Sequence, residues 1–117
     1  MNDVRIYHNP RCSKSKKTLQ IIRDRGIEPE VIEYLKKPPT EDELQKISKL
    51  LGLEPKGFVR KNEAEFKENG LSDKLNDSKE MFRLMSEFPK VIERPIVVSD
   101  KGAVIGRPPE NVLKLLS

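Results

Sequence analysis

Cysteine and histidine each occur once in this 117-residue chain, as Cys12 and His8, and tryptophan does not occur at all. One cysteine closes no intramolecular disulfide, so a disulfide framework is excluded by arithmetic. One Cys and one His also fall short of the four ligands a structural zinc site takes, so no metal is expected. Four phenylalanines and two tyrosines offer few platforms on which bases could stack, which argues against nucleic acid as a partner. No stretch approaches the roughly 18 apolar residues of a membrane span. The opening "MNDVRIYHNP" lacks the apolar core of a signal peptide. The chain therefore reads as a soluble cytoplasmic protein with no membrane role.

What remains is one domain's worth of sequence, 1–117, enough for a single core. Hydrophobic residues make up 35% and charged residues 36%, yet the apolar ones fall in periodic groups, as folding requires. The formal charge is +4, and its position matters more than its size. Residues 1–26 carry Arg5, Arg11, Lys14, Lys16, Lys17, Arg23 and Arg25 against Asp3 and Asp24, a net of +5. The other 91 residues hold 16 basic and 17 acidic side chains. The whole excess lies in the segment with the cysteine.

Along the chain, "DVRIYH" alternates as a short strand, with Val4, Ile6 and His8 on one face and Arg5 and Tyr7 on the other. Asn9 and Pro10 end it, and a helix follows from about Ser13, with Leu19, Ile22 and Thr18 inward and Gly26 as its left-handed stop. "IEPEVIEYL" supplies a second strand with Val31, Ile32 and Tyr34, completing a βαβ unit whose parallel strands need a right-handed crossover. Thr40 and Glu43 form a capping box before the stripe Leu44, Ile47, Leu50 and Leu51, which ends at Gly52. Short helical turns and a helix with Met81, Phe82, Leu84, Met85 and Phe88 make about 40–88 a helical insertion. Strands at Ile96–Val98 and Ala103–Ile105 form a hairpin through "SDKG", and a helix from Pro109 or Glu110 to Leu116 closes the chain. The order β-α-β, helical block, β-β-α predicts an α/β, thioredoxin-like fold with a mixed four-stranded sheet. That fold places a cis proline beside its active loop, at Pro95 here.

Cys12 falls between the first strand and the first helix, where free N–H groups and the helix dipole face the sulfur. With Arg11, Lys14 and Lys16 they favour the thiolate, a nucleophile at neutral pH, over a buried inert thiol. A phosphatase-type loop would place arginine where Thr18 stands, and a dithiol motif would place cysteine where Ser15 stands. The resolving thiol must then come from another molecule, such as glutathione or a small redox protein. His8 either holds charge near Cys12 or accepts a hydrogen bond, or else is a structural histidine at a strand end. Ser15 either bonds the thiolate or serves the helix start. Arg60 in "FVRKN", Arg94 in "ERPIVV" and Arg107 in "IGRPP" offer planar forks suited to oxyanions, and a thioredoxin-like sheet brings Arg94 and Arg107 toward the cysteine loop.

Taken together, "IYHNPRCSKS", "YLKKPPTEDEL", "FVRKN", "RPIVV" and "GRPPENVL" resemble, in order and over essentially the whole chain, the glutaredoxin-linked bacterial arsenate reductases, the ArsC family, in a compact member. The resemblance implies an oxidoreductase of arsenic detoxification, reducing arsenate or a similar oxyanion to arsenite. It implies glutathione as co-substrate, glutaredoxin as partner, and no tightly bound cofactor. It assigns Cys12 as nucleophile, His8 and Ser15 as its support, and Arg60, Arg94 and Arg107 as the anion-binding trio. Ser13, Lys14 and Lys16 depart from the family's small residues after the cysteine and arginine after the serine; lysine keeps the charge without the bidentate fork. The alternative is a thiol-redox regulator of the related branch that contacts RNA polymerase, whose members often carry cysteine where Ser15 stands.

Overall fold

The computed structural model describes residues 3–116, which form two compact units. One comprises the chain up to Lys37 together with the chain from Arg94 onward; the other is Pro38–Glu93.

In the first unit, strands β1 (Arg5–His8), β2 (Glu30–Glu33), β3 (Ile96–Ser99) and β4 (Gly102–Ile105) make one sheet in the order β2-β1-β3-β4. β2 runs parallel to β1, while β3 runs antiparallel to both β1 and β4, so the sheet is mixed. Helix α1 (Ser13–Asp24) is the crossover between β1 and β2. This is the thioredoxin-like arrangement expected from the element order. Pairing sets Ile6 between Val31 and Val97. Ile6 and Val97 then share a core with Val4, Leu19, Ile22, Val112 and Leu115. Their burial is the main force holding α1 and the chain's C-terminal segment to the sheet, at about 1.5–3 kcal/mol per large side chain.

The central position of β1 explains why Tyr7 is buried although it alternates away from Ile6. Alternation predicts which face a side chain takes, not whether that face meets water. Val31, by contrast, is 38% exposed, because β2 is an edge strand with one neighbour. The closing helix is shorter than its periodicity predicts. Pro109–Val112 form a 3₁₀ turn, and only Leu113–Leu116 continue as α5. Pro109 lies in the first turn and cannot donate a backbone N–H, a position where proline is tolerated.

The second unit is helical, as expected for the insertion, and extends a few residues beyond 40–88 at each end. Thr40 and Glu43 cap α2 (Glu41–Leu51) reciprocally, each side chain accepting the other's backbone N–H at 3.1 Å. Gly52 ends that helix with φ of 69°. Leu44 and Ile47 are buried, but Leu50 is 44% exposed, since it lies off the axis of the stripe that Leu44, Ile47 and Leu51 define. Helices α3 (Ala64–Glu68) and α4 (Ser78–Glu87) add Phe66, Met81, Leu84 and Met85 to the buried residues of this unit. Val59 and Ile92 pair in an isolated antiparallel bridge.

Candidate active site

The site grows from the way β1 hands over to α1. Asn9 Oδ1 accepts the N–H of Arg11 at 3.0 Å, an Asx turn, and Asn9 O accepts the N–H of Cys12 at 3.0 Å. Those bonds fold the Asn-Pro-Arg loop so that Cys12, extended at φ −95° and ψ 121°, becomes the N-cap of α1. Helices ordinarily place Ser, Thr, Asp or Asn there, with an oxygen aimed at the amides two and three residues on. Here that place holds sulfur, and those amides belong to Lys14 and Ser15.

The side chain of Cys12 makes no ordinary capping bond, but the surroundings favour its ionised form. Partial burial pushes the Cys12 thiol up; the N–H of Ser15, the charge of Arg94, the N–H of Lys14 and the charge of Arg107 together outweigh it, and the thiol lies below its ordinary range. The charges that most lower the thiol come from two arginines at the far end of the chain, and Lys14 acts through its backbone N–H. Alkylation of Cys12 by iodoacetamide is therefore expected to rise with pH and reach half its plateau at a lower pH than for a free thiol. The sign is fixed by the depressed value, because the thiolate persists as pH falls until its own folded-state pKa is crossed. A midpoint at or above that of a free thiol would overturn the activation.

Arg94 and Arg107 are each followed by a cis proline, Pro95 and Pro108. Pro95 is thus cis, as the fold led one to expect. Arg107 Nη1 donates to the backbone carbonyl of Arg94 at 3.4 Å, and Gly106 N–H donates to Pro95 O at 2.9 Å. These bonds tie the exit of β4 to the entry of β3, and the charges of Arg94 and Arg107 both act on the one sulfur.

Gly106 marks another close approach. A Cβ built on it would lie 2.5 Å from Thr18 Oγ1 and 2.8 Å from Pro95 Cγ, so only glycine fits. Thr18 Oγ1 in turn bonds Lys14 O at 2.8 Å. Neither Asn9 nor Gly106 stood out as a site residue in the sequence. The Asn-Pro pair before the cysteine signalled the turn, whereas the tightness at Gly106 depends on contacts 88 residues apart in sequence.

His8 and Ser15 are both buried and meet directly, Nδ1 to Oγ at 2.6 Å. The Ser15 hydroxyl also accepts the N–H of Asn9 at 3.0 Å. Burial pushes His8 down; Glu33 pulls it up, Arg23 and Lys16 push it down again, and the net is a lowered value. A neutral imidazole whose Nδ1 accepts from Ser15 fits this environment. Ser15 thereby faces Cys12 with its backbone amide and His8 with its side chain.

Arg60 belongs to the second unit. Its guanidinium pairs with Glu63 at 3.1 Å and donates to Lys90 O at 3.1 Å, while its backbone N–H bonds Val91 O. The structure thus groups Cys12 with Arg94 and Arg107, and His8 with Ser15, in one unit, and shows Arg60 held by its own neighbours in the other. Among the described residues no group of three or more His, Cys, Asp or Glu is placed to hold a metal ion. A partly exposed, activated thiolate beside two guanidiniums can attack an electrophilic centre that carries negative charge.

Comparison with known proteins agrees with the architecture. Residues 7–115 match the ArsC family. The chain is 43% identical over 114 residues to the uncharacterised protein YfgD of Escherichia coli (strain K12), covering 97% of this chain and 96% of that one. It is 40% identical over 117 residues to an arsenate reductase of Neisseria meningitidis, covering 99% of this chain and 100% of that protein. A solved arsenate reductase from Vibrio cholerae superposes with a TM-score of 0.91 at 46% identity, over 96% of each chain. By its sequence, its sheet and its full-length likeness to these proteins, the chain belongs to the ArsC family.

Proposed function

We propose that this protein reduces arsenate to arsenite through Cys12, with glutathione and glutaredoxin supplying the electrons. The observation that carries the proposal is the convergence of Arg94 and Arg107 on the field of the Cys12 sulfur, supported by arsenate reductases of similar length and sequence. Arg94 and Arg107 neutralise the oxyanion, and the thiolate attacks arsenic. An As–O bond breaks and leaves as water, giving an S–As(V) adduct with no change of oxidation state. Glutathione thiolate then attacks the sulfur of Cys12, forming an S–S bond; the S–As pair stays on arsenic, which departs as arsenite. Glutaredoxin attacks the glutathione sulfur and frees Cys12. His8 and Ser15 act as positioning residues that hold the loop and the first turn of α1 in place.

The test is direct. Purified protein with arsenate, glutathione and glutaredoxin is expected to yield arsenite in stoichiometry with oxidised glutathione, and to yield none when arsenate is left out. Absence of arsenite while Cys12 still forms a mixed disulfide with glutathione would sink the arsenate assignment and leave a thiol-redox role.

A further inference from the structure

We infer that Arg11, Lys14, Lys16 and Lys17 form a cationic rim that admits small thiols bearing carboxylates to Cys12 in preference to neutral or cationic ones. The inference deepens the reading of Cys12 as a nucleophile resolved by an external thiol, and rests on it.

All four side chains are exposed, and among the described residues none of them is in an ion pair. Their counterparts elsewhere in the basic segment are treated differently. Arg5 pairs with Glu30 at 3.2 Å and Arg23 with Glu28 at 3.0 Å, while Arg25 lies beyond the far end of α1. The first turn of α1 has no acidic residue, although that is where a helix dipole favours one. Positive charge is therefore concentrated and without ion-pair partners over residues 11–17, from the cysteine loop into the start of α1, at a place where it opposes helix formation.

The leading influences on the thiolate are two amides and the charges of Arg94 and Arg107, not the charges of these four side chains. An incoming thiol supplies a role for them. The attacking species is itself an anion approaching a site that carries negative charge, and carboxylates on the same molecule add to the repulsion. Exposed cations around the approach offset it and raise the encounter rate of anionic partners, an effect that salt screens within about 10 Å at 0.1 M. Lysine suits this task, since steering needs charge and not a bidentate fork.

The experiment follows the rate of disulfide exchange at Cys12 with three small probes that contain no arsenic: dianionic dithiobis(nitrobenzoate), neutral dithiodipyridine and dicationic cystamine. Wild type is compared with Lys16→Gln/Lys17→Gln, and with the same variant carrying Lys14→Gln in addition; glutamine keeps helix propensity. The double variant is expected to lose about tenfold in rate with the anionic probe and to gain with cystamine. Its rate with dithiodipyridine should be unchanged, as should the pH midpoint read with that probe. The triple variant should extend the trend, and added salt should slow the anionic probe most in wild type, less in the double variant and least in the triple. Equal changes with all three probes, together with a shifted midpoint, would mean that the lysines tune the thiolate, and the inference falls. It falls equally if the anionic rate is unmoved. Failure to reduce arsenate with discrimination intact would count against the proposed function alone, while a Cys12 inert to every probe would remove both.

Discussion

Cys12→Ser is expected to bring arsenate-dependent turnover down to background, a loss of roughly 10⁴-fold or more, without loss of stability. The two halves of this prediction have one origin. Cys12 is the N-cap of α1, with the amides of Lys14 and Ser15 in front of it. Serine is among the preferred residues at that position because its oxygen accepts from those amides. The variant should therefore fold with its helix start at least as well satisfied as in wild type. What it loses is ionisation, since two amides and two guanidiniums that bring a thiol into reach cannot do the same for an aliphatic hydroxyl. Arsenite formation and thermal unfolding, measured side by side, separate the effects. Turnover within about tenfold of wild type would end the nucleophile assignment.

Gly106→Ala is expected to cost about 3 kcal/mol, roughly 10 °C in melting temperature, and to impair the site as well. The added methyl group would lie 2.5 Å from Thr18 Oγ1, 2.8 Å from Pro95 Cγ and 3.1 Å from Thr18 Cγ2. Pro95 is held in a ring, and Thr18 is buried in α1 and bonded to Lys14 O, so neither can swing aside as a surface lysine would. Relief requires moving the backbone of β4 away from α1 or from the Arg94–Pro95 bond, and each movement shifts a guanidinium relative to Cys12. The iodoacetamide midpoint should rise in parallel with the loss of stability. An alanine variant with an unchanged melting temperature and midpoint would show that the contact yields at little cost.

Much of this could be read from the chain because local and global signals agree. The capping box at Thr40, the stop at Gly52, the turn before Cys12 and the alternation in β1 each state a local preference that the fold obeys. The site was legible to the extent that its parts are local: nucleophile, loop and helix start lie within a few residues of one another. The source of the thiol's activation was not. The expected topology brought Arg94 and Arg107 toward the cysteine loop, but their weight among the causes of the lowered thiol depends on strand pairing that no local pattern expresses. The burial of Tyr7 and the exposure of Val31 were hidden for the same reason, since each follows from a strand's rank in the sheet. Similarly, the partner of Ser15 depended on the pitch of α1 against the end of β1, which turns the hydroxyl to His8.

The sulfur at the head of α1 has a consequence for the end of the cycle as well as its beginning. Whatever stabilises Cys12 as an anion also makes it a good leaving group, and a disulfide breaks faster when the departing sulfur has a low pKa. A mixed disulfide at Cys12 deprives the amides of Lys14 and Ser15 of the charge they face, so the helix start favours the species released over the species attacked. In the cycle proposed above, attack of the second thiol on that disulfide is therefore favoured by the same α1 amides that stabilise the departing thiolate.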